Sequence, residues 1–304
     1  MKVTRIMMMV GFFVLPFALM LPALGAEKEA EKATHGTLDT GAIERELGKA
    51  GEAKGEVYKL SWPRTDLSVT VGDVTVKPGL GLSNWIAFTS VSGGAAIYGD
   101  LVLTENEVSP VIRELEARGI QITALHNHLI GEVSRVMFLH YWGQGDSATL
   151  ARNFKAALSK TKTPMTEAKK GETPPEEVGF DPEQFQTQLG QKGSVKHGVL
   201  QLSVARPETI KESEVELPPS MGMGTSINVQ AAGAGQVAAT GDFVMTADEV
   251  NRVVQALEKH GIKVTALHNH LLHGSPNLFF MHFWAHDTAE KVAQGLKAGL
   301  NAMK

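Results

Sequence analysis

The chain has 304 residues, of which 43% are hydrophobic and 20% charged, with a formal net charge of −4 and no cysteine. At roughly 150 residues per domain that length suggests two domains, and the composition is that of a folded globular protein. The charge gives no polybasic surface for nucleic acid, and the missing cysteines exclude disulfides, thiolate nucleophiles, cysteine metal sites and lipidation on cysteine.

In chain order, residues 1–26 read as a secretory signal peptide. Lys2 and Arg5 form a basic start, Ile6 to Leu21 is apolar, and Pro22-Ala23-Leu24-Gly25-Ala26 supplies small residues for cleavage. The apolar run is short for a bilayer span and contains Pro16, which disfavours a permanent anchor. The expectation is a periplasmic or secreted protein with no stable membrane insertion after cleavage.

The rest divides into a first repeat domain (27–161), a linker (162–179) and a second repeat domain (180–304). Residues 99–129 align without gaps on 241–271, and 18 of these 31 positions are identical. Two copies of this size point to two homologous domains rather than a many-repeat solenoid. The linker carries Pro164, Pro174 and Pro175 among Thr, Lys and Glu.

Each copy opens with a helix, about 38–48 and 181–190, the second with Asp181-Pro182 as cap and first helical residue. Strand patterns come next at Val57–Trp62, Leu67–Val76 and His197–Ala205, then Gly-punctuated apolar stretches at 79–98 and 221–239. Thr104 with Glu107, and Thr246 with Glu249, have capping-box spacing, and Gly119 and Gly261 stop the helices that these boxes start. A β-hairpin and a last helix (about 147–159 and 288–302) close each copy, with Asp146 and Asp287 read as caps. The fold class expected is α+β: two tandem domains, each a mixed or antiparallel sheet with packed helices.

His-x-His recurs with a third histidine twelve positions on: His126, His128 and His140, then His268, His270 and His282. Strand alternation puts the first two of each set on one face. A turn centred at residue 133 would set His140 opposite His126 and Phe138 opposite His128, with Trp142 farther along. The reverse face, Leu125, Leu129, Met137 and Leu139, would be core. Three imidazoles from adjacent strands suit a transition metal, Zn first, with Cu or Fe also possible. Water, Glu132, His273 or His286 could be a fourth ligand. The competing readings are a metal-free pocket and purely structural histidines.

Trp142 and Trp284 are the candidate ligand-stacking residues, although packing is the commoner role of such aromatics. Asn127 and Asn269 are read as holding the hairpin. The Gly79-Leu80-Gly81-Leu82 and Met221-Gly222-Met223-Gly224 runs lack the residues of a phosphate loop.

The repeated Leu-His-Asn-His-Leu at 125–129 and 267–271, with His140-Tyr141-Trp142 and His282-Phe283-Trp284, resembles the LppY/LpqO family of exported bacterial proteins over about residues 36–302. The resemblance implies export and implies no particular activity. Members for which the family is named look like lipoproteins; a chain without cysteine departs from them there.

The sequence thus points to an exported two-domain protein that binds a transition metal through a three-histidine site in each repeat, with metal-dependent chemistry on a small substrate as an extension. No general base common to both copies can be named, so the extension does not amount to an enzyme assignment. The alternative is a metal-free carbohydrate or small-ligand binding module with a His/Trp-lined pocket; a third is a pseudo-symmetric interaction scaffold. Oligomeric state is not encoded in any motif.

Overall fold

The computed structural model describes residues 38–165 and 177–304. The signal segment 1–26, the extension from there to residue 37, and 166–176 of the linker lie outside the described residues.

The first repeat runs α1 (Thr40–Leu47), β1 (Glu52–Lys54), β2 (Val57–Pro63), β3 (Thr70–Val71), β4 (Val74–Thr75), β5 (Ser83–Val91), β6 (Gly94–Thr104), α2 (Glu105–Ala117), β7 (Gln121–His126), β8 (Glu132–Val133), β9 (Val136–Gly145) and α3 (Ser147–Leu158). The second runs α4 (Pro182–Leu189), β10 (Gly193–Lys196), β11 (Val199–Val204), β12 (Lys211–Glu212), β13 (Val215–Glu216), β14 (Thr225–Gly233), β15 (Gln236–Met245), α5 (Ala247–Lys259), β16 (Lys263–His268), β17 (Gly274–Ser275), β18 (Phe279–Thr288) and α6 (Ala289–Ala302). Each repeat forms a six-stranded sheet, ordered β1-β2-β5-β6-β9-β7 and β10-β11-β14-β15-β18-β16, and every pairing within it is antiparallel. The α+β duplication is therefore present as two similar halves.

Strand alternation decides how the layers stack. In β9, Leu139 and Tyr141 face the helices and join Ile43, Val111, Leu115 and Phe154 in one core. Phe138, His140 and Trp142 face the other way. That second face is covered by the other repeat: Trp142 and Tyr98 pack with Ile210, Met221, Val244 and Phe280, while Trp284 and Ala238 pack with Val69, Leu80, Val102 and Phe138. The result is helices, sheet, sheet, helices. Both repeats fall in one compact unit, because neither sheet could leave its inner face in water. The tandem arrangement expected from length is one body with a shared inner core.

Both capping boxes form, and each does more than cap. Glu107 receives the Thr104 N–H at 2.9 Å and also takes Arg64, whose guanidinium is fully buried and bridges to Asp66 at 2.9 Å as well. Arg206 repeats this with Glu249 and Glu208. Three local expectations change. The segment 67–76 holds the two short strands β3 and β4 joined by a turn, not one strand. Thr288, not Asp287, caps α6. Leu125 and its counterpart Leu267 are 43% and 48% exposed, so they do not belong to the core.

Candidate metal centre

The histidine strands are short, and each is interrupted. A bulge between Ile122 and Ala124 shifts the register of β7 against β9, and beyond it Ala124 stands opposite His140 and His126 opposite Phe138. The same bulge sits between Val264 and Ala266. The expected pairing of His126 with His140 and of His128 with Phe138 is displaced by two residues along β9; the bulge lies away from the connection, so the path of residues 127–135 sets this register. β7 ends at His126, and His128 lies in the connection that leads to β8.

A small sheet, β4-β3-β8, ties that connection to the 70–75 turn; β13-β12-β17 does the same in the second repeat. There the buried Glu212 accepts the His273 N–H at 3.1 Å. Asn127 donates to Leu129 O and, across the repeats, to Thr265 O at 3.2 Å, while Thr265 Oγ1 donates to His128 O at 2.6 Å. Asn269 donates to Leu278 O at 2.7 Å. The asparagines do hold the loops, as expected, but through backbone carbonyls that include the other repeat's.

These loops bring all six histidines to one place. His126 stacks on His268 with ring centroids 3.6 Å apart, His128 on His282 at 3.6 Å, and His140 on His270 at 3.8 Å. Every pair joins one repeat to the other, and the 142-residue offset exchanges the last two pairs, which is the signature of a pseudo-twofold axis. Phe138 covers the outer face of His128 at 3.3 Å, and Phe280 covers His270 at 3.7 Å. Two separate three-histidine sites were expected. The structure merges them, because the faces that carry the histidines are the faces the repeats bury against each other.

Five of the rings are held uncharged. Burial, then the neighbouring imidazoles, pushes His126 down to about 3 and His268 to about 4, and pushes His128, His140 and His270 well below the usual histidine range. A neutral imidazole keeps a lone pair for a ligand. The Nε2 atom of every one of the six is buried and has no hydrogen-bond partner among the described residues. An orphaned buried polar atom is costly, and six together need a common explanation.

The ligand atoms form two groups, His126/His268/His270/His282 and His126/His128/His140, within each of which the nitrogens lie within 4.8 Å of one another. Nitrogens on a tetrahedral zinc ion are about 3.4 Å apart, so a modest closing of the side chains fits an ion to either group. The fourth ligand in the larger group comes from the other repeat. None of the residues considered for that place joins in: Glu132 faces Arg135 at 4.0 Å, His286 faces Asp73 at 3.9 Å, and the His273 backbone is bound to Glu212.

Two carboxylates escaped the sequence reading as site residues. Asp242 Oδ1 lies 2.8 Å from His282 Nδ1, off the direction in which that N–H meets Gly241 O at 3.1 Å, so the contact is chiefly electrostatic. Asp100, at the equivalent position, stands 4.0 Å from His140 Nε2, while Tyr98 Oη meets His140 Nδ1 at 3.0 Å. Burial, then the charge of Asp242, pushes Asp100 well above the carboxylate range; burial also acts on Asp242, but His282 outweighs it and the net shift is downward. Both aspartates match between the copies and share strand parity with the inward-facing Tyr98, a signal that could have flagged them. Trp142 and Trp284, the candidate stacking residues, are only 3% and 7% exposed and pack in the cores between repeats, the commoner role of such aromatics; neither lines the cleft beside the histidines, where Trp85 does.

The model of the family described as "Domain of Unknown Function (DUF1259)" matches residues 41–160 and again 183–302. No curated protein sequence matches the chain. Among solved structures, the chain is similar to the trimeric bacterial microcompartment shell protein PduB, at 12% identity over 84% of this chain and 89% of that one, with a TM-score of 0.21. EtuB from Clostridium kluyveri is similar at 11% identity over 83% and 89%, with a TM-score of 0.20. Scores this low carry no argument about fold, assembly or function.

Proposed function

We propose, for a chain that belongs to the DUF1259 family of domains of unknown function, that it is an exported transition-metal-binding protein whose site is a single composite histidine centre shared by its two repeats. The observation that carries this reading is the meeting of six buried imidazoles whose Nε2 atoms lack any other partner among the described residues. The two groups of ligand atoms share His126, whose one free nitrogen can serve only one ion, so they would be alternative seats for a single ion, of four ligands in the larger group. Zn fits an all-nitrogen donor set, and Cu or Fe would be held by the same residues. When bound, such an ion supplies Lewis-acid or, for Cu and Fe, redox chemistry.

Export rests on residues 1–26 and on the resemblance of the histidine motifs to the LppY/LpqO family. A donor set without thiolates suits an oxidising compartment. No described helix is long and apolar enough to cross a membrane.

The test is elemental analysis of the protein purified without a histidine tag or chelator, beside a His128→Ala/His270→Ala variant. The reading requires near-stoichiometric metal in the parent and a loss in the variant. A parent that stays metal-free after exposure to Zn, Cu, Fe, Mn and Ni overturns it.

A further inference from the structure

Between the inner faces of the two sheets runs a cleft of about 1640 Å³, whose lining includes His128, His140, His270 and His282. The pseudo-twofold axis would make its two walls alike, and they are not. Cross-strand pairing identifies the equivalent positions: Trp85 stands opposite Asp100 and Ser226 opposite Asp242, while Lys59 stands opposite Ala87 and Gln201 opposite Asn228. One wall therefore carries a cation on an aromatic ring, and the other carries amides and a hydroxyl.

The two members of the Lys59/Gln201 pair are used differently. Gln201 donates its amide to Gly79 O at 3.0 Å and so helps join the repeats. Lys59 Nζ lies 3.5 Å from the centre of the Trp85 ring, and among the described residues no carboxylate comes within ion-pair distance of it. Tyr98 supports Trp85 from one side, with ring centroids 5.9 Å apart. Gly222 also approaches it, at φ +86, where an added Cβ would stand 3.1 Å from the ring. The ammonium is thus held at a fixed place on the cleft wall with no carboxylate of the described residues in contact; Asp100 acts on it only from beyond ion-pair distance. A half-buried ammonium in that position is completed by an anion from outside.

We propose that the cleft binds a small hydroxylated organic anion, its carboxylate or phosphate paired with Lys59 and its hydroxyls hydrogen-bonded to Ser226 and Asn228 on the facing wall. That the bound molecule then lies beside a metal rests on the function proposed above; the anion site itself does not. Burial pushes Lys59 down to about 7, and an arriving anion would favour its charged form. Because Gln201 holds the place of Lys59 on the other wall, the ammonium also gives the ligand one orientation in a cleft whose frame is nearly symmetric.

The experiment is calorimetric titration at about pH 6, below the depressed value of the lysine, with gluconate, glucose 6-phosphate and glucose as probes. The two anions separate carboxylate from phosphate recognition, and glucose is the neutral reference. At least one anion should bind about tenfold or more tighter than glucose, a difference of about 1.4 kcal/mol. Lys59→Gln, which installs the residue of the other wall, should reduce that anion to the level of glucose, and Lys59→Arg should restore the preference, with circular dichroism confirming the fold of each. Equal binding of all three probes, binding by none, or unchanged anion affinity in Lys59→Gln overturns the proposal. His128→Ala/His270→Ala separates the two readings: Lys59-dependent anion binding in a parent that takes up no metal would leave the anion site standing and the metal centre refuted.

Discussion

His126 and His268 are 142 positions apart in the chain and occupy the same place in their repeats, yet their rings stack with centroids 3.6 Å apart. A pair of equivalent residues in mutual contact lies on the axis that relates the two halves. His126 belongs to both groups of potential ligands and His268 to one. His126→Ala should therefore lower metal content more than His140→Ala, which leaves the group His126/His268/His270/His282 whole. Metal stoichiometry of the two variants, measured side by side, checks this; equal losses would contradict it.

On the proposed reading, Asp242 would support a ligand rather than supply one. A carboxylate beside the remote nitrogen of a ligating histidine orients the ring and raises its basicity. Asp242→Asn should weaken metal binding by about 10- to 100-fold in chelator competition. Asp100→Asn, which acts from 4.0 Å on His140 Nε2, should have the smaller effect.

Arg64 is buried among Asp66, Glu107 and the Val102 carbonyl. Removing it leaves Glu107 without its cation at the start of α2, held only by the Thr104 and Lys162 N–H groups. Arg64→Met should cost about 3–5 kcal/mol in urea denaturation, the range for one partner lost from a buried pair. Arg206→Met should cost less, because its partner Glu208 is 35% exposed at the side chain.

The same cluster makes stability depend on pH. Burial pushes Glu107 upward, but the Thr104 and Lys162 N–H groups and Arg64 outweigh it, so its folded-state value lies below the usual 4.5. A depressed carboxylate adds stability above its unfolded value, and that stability is lost as pH falls through the folded one. Unfolding free energy should fall on acidification below about pH 4.5, and Glu107→Gln should flatten that slope. An identical slope in the variant would assign the loss to other groups.

Trp284 packs against residues of the first repeat, and Trp142 against residues of the second. Trp284→Ala should cost about 3–5 kcal/mol of stability, as large-to-small changes in a core do. Its effect on anion binding at the cleft should be confined to that loss. A stable variant that no longer binds gluconate or glucose 6-phosphate would restore the stacking role.

The duplication, the capping boxes, the α+β class with a mixed or antiparallel sheet and the shared face of His140 and Trp142 were legible because each depends on near neighbours in the chain. Thr104 and Glu107 are three residues apart, and alternation along β9 needs only the backbone. The identity of the six histidines as a group was legible for the same reason. Their arrangement was not. The connections after His126 and His268 are longer than tight turns and set another pairing, which nothing in the local pattern marks. That two triads make one centre was decided by packing: each sheet has a second apolar face, and the cheapest cover for it was the other repeat. Lys59 and Trp85 have unlike residues at the matching positions, so the repeat pattern was silent about them. Only the closing of one sheet over the other put them on a cleft wall and left the ammonium facing it.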